Sequence, residues 1–168
     1  MAKIFLIGYM GCGKTTLGKI LASRLEMDFI DLDTFIEERH FKTIPQLFEE
    51  KGESGFREIE HNALLEVCEF ENIIISTGGG VPCFFNNMEI MKRAGLTVYL
   101  KVTPKVLTEV LKKAKRNRPL IKDKSEEELL HFIEENLAKR EAFYSQAELT
   151  INPYDDFDKI VNQISEKK

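Results

Sequence analysis

Gly8-Tyr-Met-Gly-Cys-Gly-Lys-Thr15 fits the pattern GxxxxGK[ST] at every fixed position. Residues of these types at this spacing suit the binding of a polyphosphate. Glycines let the backbone wind so that successive N–H groups point at phosphate oxygens, and a helix N-terminus adds a favourable dipole. In such a loop Lys14 neutralises the β and γ phosphates, and the Thr15 hydroxyl ligates Mg²⁺. Gly11, Cys12, Gly13 and Thr16 belong to the same nucleotide-binding loop and helix start. The expected ligand is a nucleoside triphosphate, ATP first among them. A plain glycine turn is the alternative. Context disfavours it, because the apolar run Ile4–Ile7 precedes the loop and Leu17, Ile20, Leu21 and Leu25 follow at helical spacing.

Asp31 and Asp33 flank Leu32 at the end of a second apolar run. Positions i and i+2 of a strand share a face, so both carboxylates can point to the mouth of the phosphate loop. One would serve the magnesium shell and the other a hydroxyl nucleophile, the two demands of phosphoryl transfer. Alternatively, Asp33 is the N-cap of a helix over Thr34–His40. The run Ile73-Ile-Ile-Ser-Thr-Gly78-Gly79-Gly80 ends in glycines where many nucleotide-binding strands end in an acid. That absence shifts the metal role toward Asp31. The glycines permit close approach of a ligand to the backbone, or else form a tight turn.

Other residues carry two readings each. Phe48 and Phe56 read as core before they read as pocket. Arg57 and Glu60, three apart, form a surface ion pair or contact an anionic substrate, and the same choice applies to Arg140 with Tyr144. The cluster Lys112-Lys-Ala-Lys-Arg-Asn-Arg-Pro119 is a solvated charge run, remotely an RNA contact, or part of a lid. In a phosphotransferase Arg118 would then stabilise the transferring phosphoryl group. His40, His61 and His131 show no ligand spacing.

The elements that must position these residues alternate along the chain. Strands are expected over Lys3–Ile7, Asp28–Asp31, Asn72–Ser76, Thr97–Lys101 and Glu148–Ile151. Helices are expected to begin near Lys14, Asp33, Thr43, Gly52, Asn86, Thr103, Ser125 and Asp155. Alternation of this kind implies an α/β fold with a mainly parallel sheet between helices. The 168 residues suit one domain, with a substrate-binding region near 33–61 and a lid near 112–124. A hydrophobic content of 43% supports a real core, and a net charge of −4 argues against a general nucleic-acid binder. Three cysteines without a CxxC pair make a disulfide framework or zinc site improbable and fit a reducing cytoplasm. The apolar start followed by Cys12 is too short for a secretory leader, and no stretch is long enough to span a bilayer. The absence of an Asn-Lys-x-Asp motif disfavours a switch GTPase.

Together these elements resemble the shikimate kinases over nearly the whole chain. The resemblance rests on Gly8–Thr15, Asp31-Leu-Asp33, Gly55-Phe-Arg57-Glu-Ile-Glu60, Ser76-Thr-Gly-Gly-Gly80, Arg118-Pro-Leu120 and Arg140-Glu-Ala-Phe-Tyr144. It implies a five-stranded parallel sheet of order 2-3-1-4-5 and phosphorylation of the 3-hydroxyl of shikimate with MgATP, in the pathway to chorismate. It further implies that Asp33 holds the shikimate hydroxyls and positions or deprotonates the nucleophile. Arg57 and Arg140 would grip the carboxylate, Gly79 and Gly80 would offer N–H groups, and Phe48 and Phe56 would wall the ring pocket. Arg118 would be the lid arginine, Asp31 would act on Mg²⁺, and Pro153 would lie in the adenine loop, with Lys112 or Lys113 stacking on the base. A monomer acting on small molecules is expected. Rival readings are another small-metabolite kinase, such as a gluconate kinase, and a nucleotide-binding module without turnover.

Overall fold

A computed structural model describes residues 2–114 and 121–168. Its five strands are β1 (Lys3–Ile7), β2 (Asp28–Asp31), β3 (Ile73–Ser76), β4 (Leu96–Leu100) and β5 (Leu149–Ile151). They pair in parallel in the order β2-β3-β1-β4-β5, which is the expected order. β3 and β4 are buried throughout and β1 nearly so, because helices cover both faces. This explains why those strands read as unbroken apolar runs instead of alternating ones. Phe5, Ile74, Val98 and Leu100 lie among the core residues with helix side chains such as Leu21, Leu64 and Ile160.

The described helices are α1 (Lys14–Leu25), α2 (Leu32–His40), α3 (Ile44–Val67), α4 (Asn87–Ala94), α5 (Pro104–Lys113), α6 (Glu126–Tyr144) and α7 (Phe157–Lys167), with a 3₁₀ turn at Val81–Cys83. Most start on local chemistry. Thr43 and Gln46 form a reciprocal capping box on α3, and Thr103 and Ser125 cap α5 and α6 through their side chains. Glu126, Glu127 and Glu128 fill the first turn of α6, where the helix dipole favours them. α1 differs: its N-cap is Gly13 in the left-handed region (φ 93), and no side chain caps it. Its first N–H groups are therefore left for a ligand.

Two details depart from expectation. The N-cap of α2 is Asp31, not Asp33: Asp31 Oδ1 accepts from the Thr34 amide at 3.1 Å, and the helix already includes Leu32. The helices expected to start near Thr43 and Gly52 are one element, α3, broken at Gly52 by a backbone of φ 70 and ψ 177. Register brings Leu6 and Asp31 level with Ser76. The chain segments leaving β1, β2 and β3 thus meet at one edge of the sheet, beside the point where strand order reverses, where doubly wound folds bind ligands.

Candidate active site

The phosphate loop leaves β1 at Gly8 and closes into α1 at Lys14. Gly8, Gly11 and Gly13 all have positive φ, which the winding of the loop requires. The Lys14 ammonium is buried and donates to the carbonyls of Gly8 (2.7 Å) and Tyr9 (3.2 Å). Cys12 is buried behind it, its Sγ 3.7 Å from Lys14 Nζ, and acts as a small filler. Lys14, Thr15, Thr16, Gly11 and Gly13 line a cavity of about 340 Å³ together with Asp31, Asp33, Ser76 and Gly79. A second cavity adjoins the loop, where Cys12, Gly13 and Thr16 face Pro153 and Tyr154.

Thr15 Oγ1 donates to Asp31 Oδ2 at 2.6 Å. A hydroxyl and a carboxylate side by side at a phosphate loop form a hard oxygen pair that fits Mg²⁺. That ion is commonly held by one or two carboxylates plus phosphate oxygens, not by an all-protein cage. Among the described residues there is no cluster of three or more His, Cys, Asp or Glu that could hold a metal ion.

Asp33 sits one helical step into α2, inside the same cavity. Burial raises its pKa to about 6, the Asp31 charge adds to the rise, and Lys14 opposes it. A carboxylate poised near neutrality can take a proton at working pH.

The glycines after β3 lie against the remaining charged groups. A β-carbon at Gly78 would stand 3.1 Å from both Asp33 Oδ1 and Glu60 Oε2; at Gly79, 3.0 Å from Arg140 Nη1; at Gly80, 2.4 Å from Arg57 Nη1. Their smallness makes room for charged side chains as well as for any ligand. Tyr144 donates from its hydroxyl to the Gly79 carbonyl.

Arg57 and Glu60 are no surface pair. Their side chains are 13% and 3% exposed, with Nη1 donating to Oε1 at 2.6 Å. Burial raises the Glu60 pKa against the pull of Arg57. The Arg57 guanidinium also lies over the rings of Phe84 (4.3 Å) and Phe56 (5.5 Å), while its buried Nε finds no partner among the described residues. A buried cation with an unused donor suits a carboxylate ligand. Phe56 is buried and Phe48 is 41% exposed, with ring centroids 5.6 Å apart. Arg140 approaches from α6 and lies over the Tyr9 ring at 5.5 Å.

Site residues thus come together from the phosphate loop, α2, α3, the glycine turn and α6. Arg118 lies outside the described residues, as does much of the basic cluster; Lys112 pairs with Glu126 at 3.0 Å. Sequence reasoning did not select Glu60 or Phe84 as site residues. Glu60 had a signal in its spacing from Arg57, but burial, which turns a weak pair into a fixed one, has no local signature.

Comparison with known proteins supports the same reading. The sequence profile of the shikimate kinase family matches residues 10–167. The shikimate kinase of Phocaeicola vulgatus is 60% identical over 147 residues, 88% of this chain and 84% of that one. The crystal structure of shikimate kinase from Bacteroides thetaiotaomicron superposes with a TM-score of 0.92 at 52% identity, covering 98% of this chain and 97% of that one. Shikimate kinase from Acinetobacter baumannii, solved in complex with shikimate, gives a TM-score of 0.87 at 34% identity over 100% of this chain and 95% of that one. The chain belongs to the shikimate kinase family.

Proposed function

We propose that the side chains at the end of β1–β3 carry out direct in-line transfer of the γ-phosphoryl group of ATP to the 3-hydroxyl of shikimate. A shikimate kinase uses ATP and Mg²⁺, and the roles assigned here are ours. The α1 N-terminus and the amides of Gly11, Gly13, Thr15 and Thr16 hold the phosphates, and Lys14 leaves its carbonyl partners to balance them. Thr15 and Asp31 hold Mg²⁺, which when bound neutralises phosphate charge. Asp33 orients the 3-hydroxyl and accepts its proton as the new O–P bond forms. Arg57 and Arg140 bind the shikimate carboxylate, Gly79 and Gly80 donate backbone N–H groups, and Phe48 and Phe56 bound the ring. Arg118 adds positive charge at the transferring group, and Pro153 borders the adenine.

One observation carries this reading: Asp33, with its raised pKa, shares a cavity with Lys14 and Thr15, while its neighbour Gly78 leads directly into positions packed on Arg57 and Arg140. A base, a phosphate cradle and an anion site are thereby adjacent. The test is ADP release coupled to NADH oxidation, with shikimate, quinate and gluconate offered separately. Turnover dependent on shikimate, with phosphorus on O3 by NMR of the product, is the expected result. Turnover with gluconate alone would overturn the acceptor assignment.

We further take residues 33–61 as the acceptor-binding region, 112–124 as the lid, and the chain as a cytoplasmic monomer that does not bind nucleic acid. Free Cys12, Cys68 and Cys83 and the net charge of −4 support the last points. Among the described residues no helix is long and apolar enough to cross a membrane. Size-exclusion chromatography with light scattering tests the oligomeric state.

A further inference from the structure

Three consecutive glycines have no side chains to hold their peptide planes, so the planes must be tethered otherwise. The carbonyls of Gly78 and Gly80 accept from the amides of Val81 (3.1 Å) and Cys83 (3.0 Å), turn bonds made within the segment itself. The Gly79 carbonyl is held from a distance, by the Tyr144 hydroxyl 65 residues later in the chain.

Tyr144 closes α6, one turn beyond Arg140. It is fully buried, with its ring edge-on to that of Tyr99 at 5.1 Å between centroids. The Arg140 guanidinium lies close enough for its charge to act on the phenol. A carbonyl can only accept, so the phenol gives its proton to Gly79 and the bond has a fixed direction. Burial raises the phenol pKa against the pull of Arg140, so the hydroxyl remains a donor across the neutral range.

A trans peptide holds its C=O and N–H on opposite sides of one plane. Drawing the Gly79 carbonyl toward Tyr144 turns the Gly80 N–H the other way. The Arg140 guanidinium flanks the same turn, its Nη1 3.0 Å from the place a β-carbon on Gly79 would take. We propose that Tyr144 is a positioning residue of the acceptor site, its hydroxyl setting the Gly79–Gly80 peptide plane beside the Arg140 guanidinium for one anionic acceptor. The inference rests on the roles given above to Gly80 and Arg140.

Tyr144→Phe keeps the ring and removes the oxygen. The KM for shikimate should rise roughly fivefold or more while the KM for ATP stays within about twofold, the pattern of a lost acceptor-side interaction. In [¹⁵N]glycine-labelled protein the amide resonances of Gly79 and Gly80 should shift. Tyr99→Phe is the companion: it removes a phenol that donates to Glu141 at 2.7 Å in the same ring pair without touching the glycines. It should lower Tm and leave the shikimate KM unchanged. An unaltered shikimate KM in Tyr144→Phe, or equal changes for both substrates accompanied by a lower Tm, would reduce the hydroxyl to a structural role and overturn the inference. If Tyr144→Phe fails to fold, 3-fluorotyrosine in the native chain makes a stronger donor. The [¹³C]carbonyl resonance of Gly79 must then move, and a fixed resonance overturns the proposal. Wild-type protein without shikimate-dependent turnover would instead sink the acceptor assignment.

Discussion

Asp33 and Glu60 reach Gly78 from different helices, each placing a carboxylate oxygen 3.1 Å from where a β-carbon would be. Burial is the largest cause of the raised pKa of each, and the Asp33 charge adds to the rise at Glu60. Arg57 partly compensates Glu60 through its direct bond, while Asp33 has only Lys14 and Arg57 acting through space.

The pH dependence follows from the raised pKa of Asp33. In the role proposed for it, Asp33 must be ionised to accept a proton, so kcat/KM for shikimate should fall as pH drops through about 6. Stability runs the opposite way. The folded pKa lies above the unfolded one, so this contribution to stability is complete below the ordinary carboxylate pKa and is lost as pH rises through about 6. Asp33→Asn should therefore reduce turnover by more than about 100-fold yet raise Tm at pH 8 by roughly 2–6 °C. The gain in Tm should shrink markedly by pH 4.5 and vanish only below the ordinary carboxylate pKa, and a constant gain at pH 8 and pH 4.5 would contradict this account.

Gly80→Ala tests the seat of Arg57. The new methyl would stand 2.4 Å from Nη1 and 2.8 Å from Cζ. Glu60 and Phe84 pin the guanidinium, so it cannot yield without leaving its place. The shikimate KM should rise by about tenfold or more, the equivalent of ~1.4 kcal/mol, with ATP binding by calorimetry unchanged. Unchanged shikimate kinetics would detach Arg57 from the acceptor.

Asp31 holds Thr15 with one oxygen and caps α2 with the other, and two substitutions separate these tasks. Asp31→Asn keeps an oxygen for the cap but loses the charge. The Mg²⁺ concentration for half-maximal activity should rise about tenfold with little change in Tm. Asp31→Ala should lose the cap too, at a further cost of about 1 kcal/mol in stability. Identical Mg²⁺ titrations for the Asp31→Asn variant and the native protein would remove Asp31 from the metal shell.

A purely structural prediction concerns Gly18, where α1 crosses the sheet. A β-carbon there would lie 2.4 Å from Phe29 Cε2 and 3.1 Å from Leu6 Cδ1. Gly18→Ala should destabilise the fold by roughly 1–2 kcal/mol, because overpacking outweighs the better helix propensity of alanine. Urea unfolding measures it, and the shikimate KM should stay at the native value.

How far the chain announced itself depends on the range of each signal. The phosphate loop was legible because its chemistry is local: glycines, lysine and threonine in eight consecutive positions between a strand and a helix. Strand positions were legible from apolar runs, to within a residue at the ends of β3, β4 and β5. The cap of α2 was misplaced by two residues because Asp31 and Asp33 are equally good capping types, and only the bond from Thr34 chooses between them. Glu60 and Phe84 escaped because their environment is made by chain segments far apart in sequence. The glycine run was read as room for a ligand; that it also makes room for Asp33, Glu60, Arg140 and Arg57 required all those side chains to be in place.

The break in α3 bears on which acceptors this scaffold can come to use. Gly52 adopts φ 70 and ψ 177, a conformation essentially restricted to glycine, and it divides the helix into two levers on one pivot. The lever before it carries Phe48, and the one after it carries Arg57 and Glu60, whose anchorage in the interior ties it to the sheet. Rotation at a single residue can resize the aromatic wall while the ionic floor stays fixed. On the roles proposed for Phe48 and Arg57, recognition of the acid group and tolerance for the shape of the ring are separable traits, open to independent adjustment by selection or by design.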